Sequence, residues 1–358
     1  MLTGGGTGGH LYPALAIADE LAKRVSCRFL FIGTRRGLES SVVPGRGMAF
    51  KTVWIGGLRR GRLLANLLFP LKMAVSFLQA LAIQARFRPD LCVGTGGYVS
   101  WPVITAASLL GSHTVIQEQN EKPGLVTRIL ARRADAVHLS FDSSVRYFRK
   151  KGRIHVSGNP TRTDLEKPRT EAAYGRFGLN PQRTTVFVFG GSQGALSLNT
   201  AFVQTAGSLM TKTDVQILWA VGPRWSGDIE SRVRPWGDRI RVFPYLDEMG
   251  LAYAVTDLAV CRSGAGTVAE VARLGLPVVF VPFPGAAGGH QEANARAMAD
   301  AGAAVLVREG PGLSDRLEAE VMRLVRSPEE RRTLSSNIRS FARPGAAGAV
   351  VTQILETL

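Results

Sequence analysis

Apolar and polar positions follow one grammar that recurs four times along the chain: a short apolar run, a glycine-rich turn, then apolar residues at three- and four-residue spacing. Met1-Leu2-Thr3 leads into Gly4 to His10 (GGGTGGH), and Leu11 to Lys23 follows with Leu15, Ala18, Leu21 and Ala22 at helical intervals. Leu91 to Val93 leads into Gly94-Thr95-Gly96-Gly97 and a helix near Pro102 to Leu110. Thr185 to Phe189 leads into Gly190-Gly191-Ser192-Gln193-Gly194 and a helix over Ala195 to Leu209. Leu258 to Cys261 leads into Arg262 to Thr267 (RSGAGT), a helix over Val268 to Leu274, and a further strand at Pro277 to Val281.

Strands alternating with helices predict βαβ units and parallel sheets. With two glycine turns in each half, the expected fold is α/β, with two Rossmann-like doubly wound domains facing across a cleft. The boundaries fall at 1–160 and 161–340, with the join near Gly158 to Arg162 and a C-terminal helix, about 341–358, packing back on the first domain. Ligands of open α/β sheets bind beyond the carboxyl ends of the strands, so all four glycine turns are expected around that cleft. One irregularity stands out: only three residues precede Gly4. This favours a true start upstream of Met1 and predicts a first sheet that lacks a central strand.

The composition, 45% apolar and 20% charged, suits two globular cores and excludes disorder. Cys27, Cys92 and Cys261 lie in or beside apolar stretches without metal-ligand spacing, so they read as buried small hydrophobes in a reducing compartment. The formal charge is +16, and nearly all the excess lies before residue 160. Such asymmetry points to an anionic partner for the first half. From Ser40 to Pro89 there is no acidic residue, and Leu63 to Ile83 is strongly apolar, flanked by Arg59, Arg60, Arg62, Arg86 and Arg88. Asn66, Pro70, Lys72 and Gln79 argue against a spanning helix. Two readings remain: a Pro-broken helix packed on the sheet, or a helix whose residues near Leu64, Leu67, Leu68, Phe69 and Leu71 dip into an anionic membrane interface. Nucleic acid is disfavoured, because no aromatic residues are interleaved with the arginines.

Gly4-x-Gly6-x-x-Gly9 fits a phosphate-binding turn. The acidic residue expected at the end of the second strand is not evident, and Arg35-Arg36 there leaves a reductase open. Gly190-x-Ser192-x-Gly194 has nucleophile-elbow spacing, with Asp247 or Asp257 and His290 following in hydrolase order. A serine hydrolase using Ser192 is therefore a rival, as is a non-catalytic nucleotide-binding protein. Glu270 falls in the first turn of its predicted helix, as a dipole partner or as an acceptor for ribose hydroxyls. No D-x-D pair occurs, so no metal is expected on a diphosphate, and no cofactor is expected.

The ordered set GGGTGGHLYPALAIADEL, GTGGYVS, QEQN (Gln117 to Asn120), GNPTR, GGSQGA, CRSGAGTVAE and HQEAN (His290 to Asn294) resembles the MurG family of N-acetylglucosaminyltransferases over nearly the whole chain. The resemblance implies a GT-B fold and metal-free, inverting transfer of N-acetylglucosamine from UDP-N-acetylglucosamine to the 4-hydroxyl of undecaprenyl-pyrophosphoryl-N-acetylmuramoyl-pentapeptide. It implies a peripheral location at the cytoplasmic face of the bacterial inner membrane. Carried over, Leu246 reads the uracil with Tyr245 stacked nearby, and Glu270 holds the ribose. Ser192, Arg162 and the turn Ala265, Gly266, Thr267, Val268 and Ala269 hold the diphosphate. Gln291 and Asn294 contact the sugar. From the first domain Thr7, Gly8, Gly9 and Asn120 reach the donor across the acceptor half of the cleft, and Gly96, Gly97 and Tyr98 line the acceptor side. His10 is the expected general base. Trp101 and the loop Pro284 to Gly289 depart from the family pattern; the first suggests an altered acceptor side.

Overall fold

The computed structural model describes every residue except 58–66, 150, 162 and 163. The chain divides into two compact units, residues 1–162 with 343–358, and residues 163–342.

The first unit is a seven-stranded parallel sheet of order β3-β2-β1-β4-β5-β6-β7. Its strands are β1 (Leu2–Thr3), β2 (Leu30–Gly33), β3 (Ala49–Thr52), β4 (Leu91–Gly94), β5 (His113–Glu118), β6 (Ala136–Leu139) and β7 (Ile154–Val156). The expectation of a sheet without its central strand is corrected. Although only two residues long, β1 is central, with Leu2 in register with Phe31 of β2 on one side and Val93 of β4 on the other. Two residues suffice because both neighbours supply ladders and Leu2 is buried. Phe31, Ile32, Val93, Val115 and Val137 are also buried, as befits a parallel sheet with both faces covered.

The second unit repeats the plan in six parallel strands, order β10-β9-β8-β11-β12-β13. They are β8 (Thr185–Phe189), β9 (Gln216–Ala220), β10 (Ile240–Phe243), β11 (Leu258–Cys261), β12 (Val278–Phe280) and β13 (Val305–Leu306). Its core centres on Trp219, Phe202, Val188 and Leu317. Trp219 donates its ring N–H to Asn199 Oδ1 at 3.3 Å, so a large aromatic is buried with its polar atom satisfied.

Two helices begin earlier than the apolar periodicity indicates. Gly8–Arg24 starts inside the first glycine run, and Ala265–Leu274 starts three residues before Val268. The first turn of a helix has N–H groups without intrahelical partners and needs no apolar side chain, so periodicity is silent there. Cys92 and Cys261 are buried, and burial pushes the Cys92 thiol up to about 12. Cys27 is exposed, contrary to the sequence reading: it lies in the connection after the Gly8–Arg24 helix, its thiol 3.4 Å from the Val25 carbonyl.

Within the basic apolar stretch, Pro70 does not break a helix. It sits at the start of the Phe69–Phe87 helix, where its missing N–H costs nothing. Ser76, Ala80 and Gln84 form the buried stripe, while Leu67, Leu68, Leu71 and Leu78 are exposed. No helix among the described residues is long and apolar enough to cross a membrane.

The C-terminal helix, Ala346–Thr357, buries Val350, Val351 and Ile354 against Leu11, Leu15 and Ala18. A polar clasp joins it to β6. Ser157 Oγ donates to His138 Nδ1 at 2.6 Å, and His138 Nε2 donates to Gln353 Oε1 at 3.0 Å. Burial lowers the His138 pKa to about 4. Between that value and the ordinary imidazole value near ~6.5, the unfolded chain binds the proton and the folded chain does not. Stability should therefore fall as pH drops from about 6.5 towards 4, by on the order of 3 kcal/mol for this group. Urea midpoints at several pH values should show that His138→Gln loses less stability over this window than the parent. Parallel curves would contradict the buried neutral imidazole.

Candidate active site

In the first sheet the strand order reverses between β1 and β4, and both glycine turns leave the carboxyl ends of these neighbours. The turns interlock. A Cβ on Gly97, where φ is +81°, would lie 2.5 Å from the Gly5 carbonyl oxygen; one on Gly96, at φ +107°, would lie 2.7 Å from His10 Nδ1. Thr95 Oγ1 donates to the His10 carbonyl at 2.6 Å and so pins the first helical turn. His10 is half-buried, and its Nδ1 lies 2.9 Å from Gln119 Oε1, from the turn that follows β5. Three segments distant in sequence thus converge on one imidazole at the topological switch point.

Thr7 is the exposed N-cap of the Gly8–Arg24 helix, with no cap bond from its side chain. Gly8 and Gly9 form the first turn. Asn120 is held through its backbone N–H and side-chain amide by Glu118 Oε1, at 3.1 and 3.0 Å. Tyr98 is exposed, its ring against Gly57. Trp101 packs on Phe77 with ring centres 6.3 Å apart, on the side of the Phe69–Phe87 helix.

Sequence reasoning missed Glu39. Its carboxylate is wholly buried and accepts from Gly6 N at 3.1 Å, Thr34 N at 2.9 Å and Thr34 Oγ1 at 2.7 Å. Gly5, Gly33 and Gly37 crowd it so closely that a Cβ on any of them would lie within 2.5 Å. This carboxylate ties the first glycine turn to the end of β2. The signal was present, as Glu39 is the last acidic residue before the long acid-free stretch, but the glycine turn it holds lies more than thirty residues away.

In the second unit the assigned donor residues all follow carboxyl ends of strands. Ser192 is exposed in the turn after β8, and Tyr245 and Leu246 come just after β10, exposed and buried respectively. The N-terminus of the Ala265–Leu274 helix, carrying Gly266, Thr267, Val268 and Ala269, follows β11. Glu270 lies in the second turn of that helix, not the first, because the helix starts at Ala265. Its Oε2 accepts from the buried Tyr253 hydroxyl at 2.8 Å, which aims the carboxylate. Gln291 Oε1 accepts from Phe283 N at 2.9 Å. Asn294 is fully buried, donating to the Ser263 carbonyl at 3.2 Å, and so braces the turn after β11. Arg162 lies outside the described residues, as do Arg59, Arg60, Arg62, Leu63, Leu64 and Asn66.

A concavity of ≈ 870 Å³ opens beside this region, lined by Gly190, Gly194, Arg262, Phe283, Gln291 and Leu313 among others. Arg262, also missed, is buried and bridges three elements. It donates to the Val281 carbonyl at 2.9 Å, Glu309 at 2.6 Å and Ser197 Oγ at 2.9 Å. Ser192, Leu246 and Glu270 do not line the concavity, which takes in only the glycine-turn and Gln291 end of the assigned set.

Asp257, one of the two candidate acids of a hydrolase triad, lies far from Ser192. Asp257 precedes β11 and holds Thr185 N at 2.7 Å and Arg169 at 2.8 Å, at the amino end of β8. Ser192 follows the opposite end, and five extended residues place the two ends ~16 Å apart.

Comparison with known proteins agrees with this geometry. Residues 1–139 match the glycosyltransferase family 28 N-terminal domain, and residues 185–348 match its C-terminal domain. A UDP-N-acetylglucosamine–N-acetylmuramyl-(pentapeptide) pyrophosphoryl-undecaprenol N-acetylglucosamine transferase of Chlorobaculum parvum is 40% identical, across 99% of this chain and 98% of its own. A transferase of the same description from Desulforamulus reducens is 37% identical, across 98% and 96%. The chain belongs to the MurG family of glycosyltransferases. The crystal structure of Acinetobacter baumannii MurG superposes with a TM-score of 0.81 at 28% identity, covering 99% of this chain and 98% of that one. A kitacinnamycin glycosyltransferase, at 16% identity and TM-score 0.70, shares the fold. The two parallel-sheet units are thus the Rossmann-like domains of a GT-B glycosyltransferase, and family membership gives the hydrolase and non-catalytic alternatives no support.

Within this family architecture, Glu39 carries a testable structural load. Glu39→Ala leaves the N–H groups of Gly6 and Thr34 without their acceptor, at about 1–3 kcal/mol each. The variant should unfold at clearly lower urea concentration, with faster amide hydrogen exchange at Gly6 and Thr34. Unchanged exchange at both would show that the carboxylate does not hold the turn.

Proposed function

We propose that this protein transfers N-acetylglucosamine from UDP-N-acetylglucosamine to the 4-hydroxyl of undecaprenyl-pyrophosphoryl-N-acetylmuramoyl-pentapeptide, with inversion and without a metal. The observation that carries the reading is that Leu246, Ser192, the Ala265 turn and Gln291 all follow carboxyl ends of strands of one parallel sheet, β10, β8, β11 and β12, in a chain of this family. The second unit takes the donor and the first takes the acceptor. Glu270, aimed by Tyr253, accepts from both ribose hydroxyls. His10 Nε2 takes the proton of the acceptor hydroxyl as its oxygen bonds to the anomeric carbon. The bond from that carbon to the diphosphate oxygen breaks, and the electron pair leaves with UDP. The N–H groups at the start of the Ala265–Leu274 helix and the Ser192 hydroxyl meet the developing charge.

Calorimetry with UDP-N-acetylglucosamine in EDTA tests the donor site. Saturable binding is expected, weakened at least ~10-fold in Glu270→Ala, since hydrogen bonds to a charged carboxylate contribute about 1.5–3 kcal/mol. Equal affinity in the variant would remove Glu270 from the site, and no binding by the parent would remove the donor assignment.

The acceptor is a lipid, and we infer that the exposed Leu67, Leu68 and Leu71, beside the cationic first half, seat the protein on an anionic membrane at the cytoplasmic face. Apolar insertion and headgroup attraction act together there, the latter ~1 kcal/mol per cation. Flotation should show binding to phosphatidylglycerol vesicles that weakens with salt. The double substitution Leu68→Asp, Leu71→Asp should abolish it without changing donor affinity. Equal binding by the double variant would place the contact elsewhere.

A further inference from the structure

Gln117 and Gln119 are buried side by side on β5 and the turn after it, with no part in substrate contact so far. Their amides can be oriented from their partners alone. Gln119 Nε2 points at the Thr95 carbonyl at 2.7 Å and the Gln117 carbonyl at 3.1 Å, both of which only accept. Turning the amide over would set oxygen against oxygen twice, so Gln119 Oε1 must face His10. Gln117 is fixed in the same sense. Its Nε2 faces the carbonyls of Glu118 at 3.3 Å and Gly158 at 3.4 Å, and its Oε1 receives Gln119 Nε2. The chain of donors therefore runs one way: His10 Nδ1–H to Gln119, Gln119 to Gln117, Gln117 to the Gly158 carbonyl.

An imidazole whose Nδ1 faces an oxygen acceptor carries its proton there, which leaves the Nε2 lone pair free. We infer that Gln119 is a positioning residue that selects the Nδ1–H tautomer of His10 and thereby keeps Nε2 competent as the base. Gln117 in turn holds Gln119. The inference rests on the reading of His10 as general base. It adds that the base is prepared before substrate arrives, by an uncharged amide instead of a carboxylate. An amide fixes the tautomer without adding a negative charge, so it does not hold a proton on Nε2.

The first test needs no variant. In the full-length protein, ¹⁵N NMR of labelled histidine should show His10 with a protonated, pyrrole-type Nδ1 and a pyridine-type Nε2 at neutral pH; the resonance is assigned by its loss in His10→Gln. A protonated Nε2 overturns the inference whatever His10 does in catalysis. The second test is Gln119→Leu, which removes the acceptor. His10 should shift towards the Nε2–H form, and kcat should fall about 10–100-fold, because a wrongly protonated triad imidazole loses still more. KM for both substrates should stay the same, and the acidic limb of the kcat profile should persist at a lower plateau. Full kcat in Gln119→Leu, alongside a 10²–10⁴-fold loss in His10→Ala, would overturn the role of Gln119 and leave the base reading standing. Near-normal turnover in His10→Ala would overturn the base reading itself, and the inference with it.

Discussion

The close approach of backbone to backbone at the switch point of the first sheet is the constraint on which the rest of that unit depends. Strands β1 and β4 are neighbours, and the turns leaving them must share one small space. Gly4 meets Thr95, Gly96 meets His10 and Gly97 meets the Gly5 carbonyl, each at distances that no Cβ could occupy. The glycines of one motif are thus required by the other motif, quite apart from any phosphate. The interlock places His10 within reach of Gln119 and lets Thr95 hold both the β1 ladder and the first turn of the helix.

The second unit meets the same topology differently. Its first glycine turn leans away from the switch point: Gly194 would meet the Val221 carbonyl and Gly222 the Gln193 carbonyl, so the turn after β8 interlocks with the one after β9. The turn after β11 is left unencumbered. A Cβ on Gly264 or Gly266 would meet no protein atom within 4 Å, and Gly264 has an ordinary φ of −62°. Neither conformation nor packing calls for glycine at these two positions. What side chains there would obstruct is access to the N–H groups of the helix N-terminus. One sheet has spent its glycines on holding a side chain, the other on keeping backbone donors open. That difference fits a base in the first unit and a diphosphate in the second.

The repeated strand–turn–helix grammar was legible because it depends on local periodicity and on glycine, and the family motifs were legible because each is contiguous. Glu39, Arg262 and Gln119 were not legible, for one common reason. Each is a buried polar side chain whose partners come from distant segments: Gly6 for Glu39, Glu309 for Arg262, His10 for Gln119. Such groups are stabilised only by complete satisfaction, and satisfaction is a tertiary property that no spacing rule records. Glu270 was placed one turn early for a different reason. Periodicity begins where side chains pack, at Val268, whereas the helix begins where the backbone turns, at Ala265. The short β1 misled in a third way, because strand length was read without its neighbours.

The Phe69–Phe87 helix buries small and polar residues most deeply, which bears on the two readings of the apolar stretch. A helix that covers a sheet normally presents its large apolar residues inward. Here the fully buried stripe is Ser76, Ala80 and Gln84, small or polar, with Gln84 Nε2 donating to the Val103 carbonyl at 2.9 Å. Small inward residues let this helix lie close against the Ser100–Leu109 helix, with Phe77 and Leu81 filling the flanks. The leucines at 67, 68, 71 and 78 then have no place in the core, and all face outward. The large apolar residues of this helix that pack on the core are Phe77, Leu81, Ile83 and Phe87. The apolar surface is therefore a property of the outer face, set apart from the core, in the half of the chain that carries nearly all the excess positive charge.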